Sequence, residues 1–179
     1  MKKIFSQPII RFLVIGFLLY LSWLALYEWW IHPMKWVDMA VVNNTLDISQ
    51  KILEWMGYSV IRLESRMIGI EGTPGLFIGD SCNGIALFAL FSIFIIAFPG
   101  RIIYKIIFIP AGILLIHSLN ILRVIILAVI EIYSYEWTAF NHTYTFTIFI
   151  YAAIFLLWLL WVNKFSLISE KRISTKNTK

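Results

Sequence analysis

"IIYKIIFIPAGILLIHSLNILRVIILAVIEIY", Ile102 to Tyr133, is the stretch on which the fold turns. Its apolar run is broken by Pro110, His117, Asn120, Arg123 and Glu131. Read as one helix it crosses a bilayer once; split near His117 it crosses twice. A helix from Ile102 reaches Arg123 after about 32 Å, one hydrocarbon thickness. The flanking charges choose between the two readings. Lys2, Lys3 and Arg11 precede the first apolar run, Arg101 and Lys105 precede this one, and Lys164, Lys171, Arg172, Lys176 and Lys179 follow the last. Basic residues stay on the cytoplasmic side, so both ends lie inside and the number of crossings is even. One crossing here gives four in all; two would give five and strand the basic tail outside.

The expected fold is therefore an all-α integral membrane helical bundle of about four transmembrane helices. The spans are 12–31, 83–98, 102–123 with an apolar extension to about 134, and 144–162. The extension is expected to kink or lie along the outer interface, with Asn120, Arg123, Glu131 and Ser134 near one polar face. Residues 1–163 form one transmembrane domain, and 164–179 read as a disordered cytoplasmic tail. Composition agrees. Of 179 residues, 60% are hydrophobic and only 14% charged, well below the roughly 25% charged of a soluble domain. The net charge of +5 is gathered at span ends rather than over a polar surface, so it orients spans and gives no reason to expect nucleic acid. The first run ends in "YEWWIHP" without a small-residue cleavage site, which suits a retained anchor better than a signal peptide.

Between the first two spans, residues 33–81 fall on the exoplasmic side as a small helix-and-hairpin insertion. "DMAVVNNTLDISQKILEWMG", with Val42, Leu46, Ile52, Leu53 and Met56, reads as an interfacial helix. "YSVIRLESRMIGIEGTPGLFIGD" alternates and is punctuated by Gly and Pro, the pattern of strands or a hairpin.

This topology brings three chemically capable residues to one depth on the outer side. Cys82, the single cysteine, opens the second span; Arg123 ends the crossing part of the third; His142 precedes the fourth. Singly, each has a plainer reading: a packing thiol, a snorkelling arginine, an interfacial histidine. Together they suit nucleophilic catalysis. Thiolate is the nucleophile, so Cys82 needs a base or positive charge beside it. His142 can take the thiol proton and return it to a leaving amine. Arg123 can stabilise a thiolate or an oxyanion with fixed hydrogen bonds. Asn120, a helical turn before Arg123, is a supporting candidate that could hold the guanidinium. His117 is a rival base. Glu131 can pair with Arg123 or face water, and Asp80 can orient His142 or cap the following helix. One cysteine and three scattered histidines offer no disulfide, and neither a metal site nor a cofactor site is expected.

"SCNGI" at the start of one span, "LNILRV" at Leu119 to Val124, and a histidine before the last span resemble the exosortase and archaeosortase family of membrane cysteine transpeptidases. The resemblance covers roughly 79–155. It implies Cys82, Arg123 and His142 as the catalytic set, and protein substrates with a C-terminal sorting signal: a short motif, a transmembrane helix and a basic cluster. Cleavage at the outer face of a bacterial plasma membrane and transfer to an acceptor follow from it. Four spans instead of about eight mark a short, core-only form, and Asp80 and Asn83 stand where relatives often carry Glu and Ser. A different class also fits the chain: a non-catalytic membrane assembly subunit that recognises a partner's transmembrane helix, for which Cys82 is only packing.

Overall fold

The computed structural model describes residues 8–79 and 82–166. It is an all-α membrane bundle with a small sheet inserted. Helix α1 (Pro8–Leu26) runs through a π-helical turn, Tyr27–Ile31, into the short α2 (His32–Met34). Lys35 then takes a left-handed backbone (φ +56°), which stops the helix and redirects the chain. Helix α3 (Trp36–Trp55) follows. Its buried positions, Asp38, Val42, Thr45, Leu46, Ser49 and Leu53, recur every three or four residues and so share one face. That face is more polar than the interfacial reading requires, while Ile52 and Met56 stay exposed.

The expected hairpin is a three-stranded antiparallel sheet in the order β1 (Val60–Glu64), β2 (Met67–Ile70), β3 (Leu76–Phe77). Val60 faces Ile70 and Arg62 faces Ile68, with a bulge between Arg62 and Glu64. Arg62 forms an ion pair with Asp47 that ties the first strand to α3.

Helix α4 (Ile85–Ala97) is apolar throughout but only about 20 Å long, short of a roughly 30 Å hydrocarbon layer. Helix α5 (Ile102–Glu131) passes through His117 without a break. Then come α6 (Tyr135–Phe140), a π-helical turn at Asn141–Thr145, α7 (Phe146–Leu160) and a last π turn, Trp161–Phe165. Among the described residues, three helices, Ile9–Met34, Ile102–Glu131 and Phe146–Phe165, are long and apolar enough to cross a membrane.

Two cores organise these elements. The bundle core joins α4, α5 and α7 through Phe91, Ile95, Ile116, Ile150 and Ile154, with Trp161 at its end. Here α4 and α5 approach closely: a Cβ on Gly112 would stand 2.2 Å from the Phe91 ring. The second core lies under α3 and the sheet, where Val42, Leu46, Leu53, Ile68 and Leu76 cover Ile121, Val124, Ile125 and Leu127 of α5. This accounts for the apolar extension beyond Arg123. It continues as one helix to Glu131, packed under the insertion. The polar positions there follow suit. Asn120, Arg123 and Glu131 are all buried rather than facing water, and Glu131 lies against the Thr73 hydroxyl and the Gly75 backbone of the sheet rather than beside Arg123. Asp80 and most of the expected tail, residues 167–179, lie outside the described residues.

Candidate active site

The seam between the two cores is where Cys82 sits. Its own segment is built by local bonds. The Cys82 N–H donates to the Gly79 carbonyl (2.9 Å). Gly84 then adopts φ +87°, a left-handed turn that a side chain would strain, and α4 begins at Ile85. The Asn83 side-chain oxygen accepts the Ile85 N–H (2.9 Å), supplying a partner to one of the first N–H groups of α4, which have none within the helix. From α5, the Asn120 amide donates to the Cys82 carbonyl (3.1 Å). Asn120 therefore holds the cysteine backbone rather than the arginine.

His142 arrives from the opposite side, inside the π turn that joins α6 to α7. Wider i to i+5 windings of this kind often mark functional positions. Its Nε2 lies 3.3 Å from Cys82 Sγ, although the two residues are 60 apart in sequence. Arg123, only 7% exposed, completes the group from α5. Its Nη2 donates to the His142 carbonyl (3.0 Å) and stands 3.8 Å from the sulfur. One guanidinium thus touches both members of the pair. Its planar fork of donors suits such double contact.

The three residues border a cavity of about 310 Å³, with Ala86 and Leu87 of α4 and Thr147, Ile150 and Tyr151 of α7 as the remaining walls. Thr147 also reaches the His142 carbonyl (3.5 Å). A second cavity of about 240 Å³ shares Ala86, Leu87 and Tyr151 and extends to Tyr20, Trp23 and Glu28 of the first helix and its π turn. The two cavities thus adjoin at Ala86, Leu87 and Tyr151, between the first and last long helices. A larger groove of about 570 Å³ between α3 and α5 is walled almost wholly by Ile, Leu, Val and Met and holds no titratable side chain.

The rival base takes a different place. His117 Nε2 pairs with the Asn44 side-chain oxygen (2.8 Å), and its ring meets Phe88 edge-on. Sequence reasoning missed Thr147, Tyr151 and, above all, Asp38. Asp38 is fully buried and accepts from Asn83 and Tyr27, yet in the sequence it reads as one more polar position on an interfacial helix. A carboxylate in the first turn of a helix is common, because it suits the helix dipole, so nothing local sets this one apart.

A thiol against an imidazole, with a fixed cation beside both, can generate a thiolate and pass one proton to and fro. A family model described as transmembrane exosortase matches residues 4–161. No curated protein and no solved structure matches the chain.

Proposed function

The chain belongs to the transmembrane exosortase family, and from that membership we propose that it is a membrane cysteine transpeptidase whose nucleophile is Cys82. The observation that carries this reading is the 3.3 Å approach of Cys82 Sγ to His142 Nε2 with Arg123 Nη2 3.8 Å from the same sulfur. Three helical segments distant in sequence deliver one nucleophile, one base and one cation to one cavity.

The proposed chemistry follows from those positions. His142 Nε2 accepts the thiol proton, and the sulfur attacks the carbonyl carbon of the scissile peptide. Arg123 offsets negative charge, first on sulfur and then on the carbonyl oxygen of the tetrahedral intermediate. The C–N bond breaks as His142 returns its proton to the departing amine, leaving a thioester on Cys82. An acceptor hydroxyl, amine or water then loses its proton to His142 and attacks the thioester carbonyl, and the sulfur leaves. Asn120 keeps the cysteine backbone in place throughout.

The substrates are proteins carrying a C-terminal sorting signal: a short motif, a transmembrane helix and a basic cluster. Such a helix lies in the same bilayer, and the adjoining cavities between the first and last long helices support lateral approach from that side. The basic residues around Lys2, Arg101 and Lys164 support cytoplasmic termini and a site at the exoplasmic face of a plasma membrane. Co-expression with a protein bearing such a signal tests the proposal, substrate length being followed by mass spectrometry. Cleavage by wild type and its loss in Cys82→Ala and His142→Ala, both still inserted in the membrane, is the expected result. Unchanged cleavage in Cys82→Ala would leave the chain as a non-catalytic partner-binding subunit.

A further inference from the structure

One buried carboxylate lies close to the Cys82 segment with no part in the chemistry above. Asp38, on the first turn of α3, is fully buried. Its Oδ1 accepts from the Asn83 amide at 2.6 Å and from the Tyr27 hydroxyl at 2.8 Å. Its Oδ2 has no hydrogen-bond partner among the described residues. A buried carboxylate with one oxygen unpaired lowers stability, since desolvation of that oxygen goes uncompensated. Stability alone therefore gives no reason for an acid here. Position does. Asn83 is the residue next to Cys82, and Asp38 holds one end of its side chain while the Ile85 N–H holds the other.

We propose that Asp38 is a positioning residue for the nucleophile: through Asn83 it fixes the turn that keeps the Cys82 sulfur against His142 and Arg123. This rests on the reading of Cys82 as the nucleophile. Two clamps then act on neighbouring residues, Asn120 on the Cys82 carbonyl and Asp38 on the Asn83 side chain. Tyr27, in the π turn of the first helix, orients Asp38 in turn, and the His32 ring stacks on Tyr27 with centroids 5.6 Å apart. The site is thus braced against α3 and the first helix, neither of which supplies a reacting group. Among the described residues, His142 and Arg123 are ionisable groups in contact with the sulfur, and Tyr27 contacts Asp38 with the His32 ring stacked behind it.

Cys82 is the single cysteine of the chain, so its alkylation by iodoacetamide reports this geometry without any substrate. Purified full-length protein would be alkylated across the pH range as wild type, Asp38→Ala, Asp38→Asn, Asn83→Ala and the double alanine variant. Asp38→Ala is expected to react about tenfold more slowly at neutral pH, as the sulfur drifts from its base and cation. At about pH 10, where any thiol is largely ionised, it should match wild type. Asp38→Asn keeps an acceptor oxygen for both donors and should stay within about threefold of wild type. The double variant should be no slower than Asn83→Ala alone, which already cuts the link to Asp38 along with the bond from the Ile85 N–H. An unaltered neutral rate in Asp38→Ala, equal loss in Asp38→Asn, or additive losses in the double variant would each overturn the proposal. If Asp38→Ala fails to fold, Asn83→Ser, which keeps a capping oxygen for the Ile85 N–H but loses the amide donor to Asp38, cuts the link from the other end and decides. Because the readout needs no cleavage, it can fail while peptide processing still depends on Cys82, and the reverse.

Discussion

Replacing Arg123 separates its two contacts. Arg123→Gln keeps an amide donor for the His142 carbonyl but removes the charge 3.8 Å from the sulfur. Arg123→Lys keeps a charge but loses the rigid planar guanidinium whose Nη2 reaches both groups. At 3.8 Å and an effective dielectric of about 20, a unit charge stabilises a full thiolate by roughly 4 kcal/mol. That equals about three decades in thiolate population. Partial exposure of Cys82 reduces it, so a loss of about 30- to 1000-fold in turnover is expected for Arg123→Gln. For Arg123→Lys about tenfold is expected, since an ammonium on a flexible stem restores part of the field. Turnover of a sorting-signal substrate in detergent or nanodiscs, with a melting curve for each variant, is the assay. The reasoning fails if Arg123→Gln turns over within threefold of wild type. It also fails if Gln and Lys are equally inactive with unchanged melting, since geometry rather than charge would then be the missing element.

Other substitutions probe the scaffold around the site. Gly112→Ala should destabilise by about 1–3 kcal/mol through overpacking, because the new Cβ would fall 2.2 Å from the Phe91 ring; a lowered melting temperature checks it. Gly84→Ala should cost about 1–2 kcal/mol from the left-handed backbone, with the Phe88 ring, 3.3 Å from the added Cβ, having to give slightly; a lowered melting temperature checks it. Asn120→Ala should reduce turnover about tenfold or more, as displacement of a reacting atom does, while substrate crosslinking persists. Asp47→Ala removes an exposed ion pair with Arg62 and should change melting by no more than about 1 kcal/mol.

Much of the arrangement is legible along the chain because hydrophobicity and charge are one-dimensional signals. Counting helical rise from Ile102 puts Arg123 about one bilayer away, on the level of Cys82 and His142. The apolar runs announce a bundle, and Gly and Pro punctuation between 57 and 79 announces a small sheet. The extension past Arg123 is where this reasoning stops. Its apolar residues look lipid-facing or interfacial, whereas α3 and the sheet bury them; hydropathy cannot tell lipid from protein as a covering.

Depth along a membrane normal and direction around a helix axis are different quantities, and only the first is written in spacing. His117 and His142 are both plausible bases by sequence, but one is turned to Asn44 and the other to Cys82. The π turn that aims His142 carries no composition signal, since its wider i to i+5 winding is not written in residue type. Asp38 likewise gains meaning only when α3 folds back over the Cys82 turn. Sequence alone determined a membrane bundle and a short roster of reactive residues, through burial preference and helical rise. Tertiary packing alone decided which of them meet, because side-chain azimuth depends on the neighbours each helix finds.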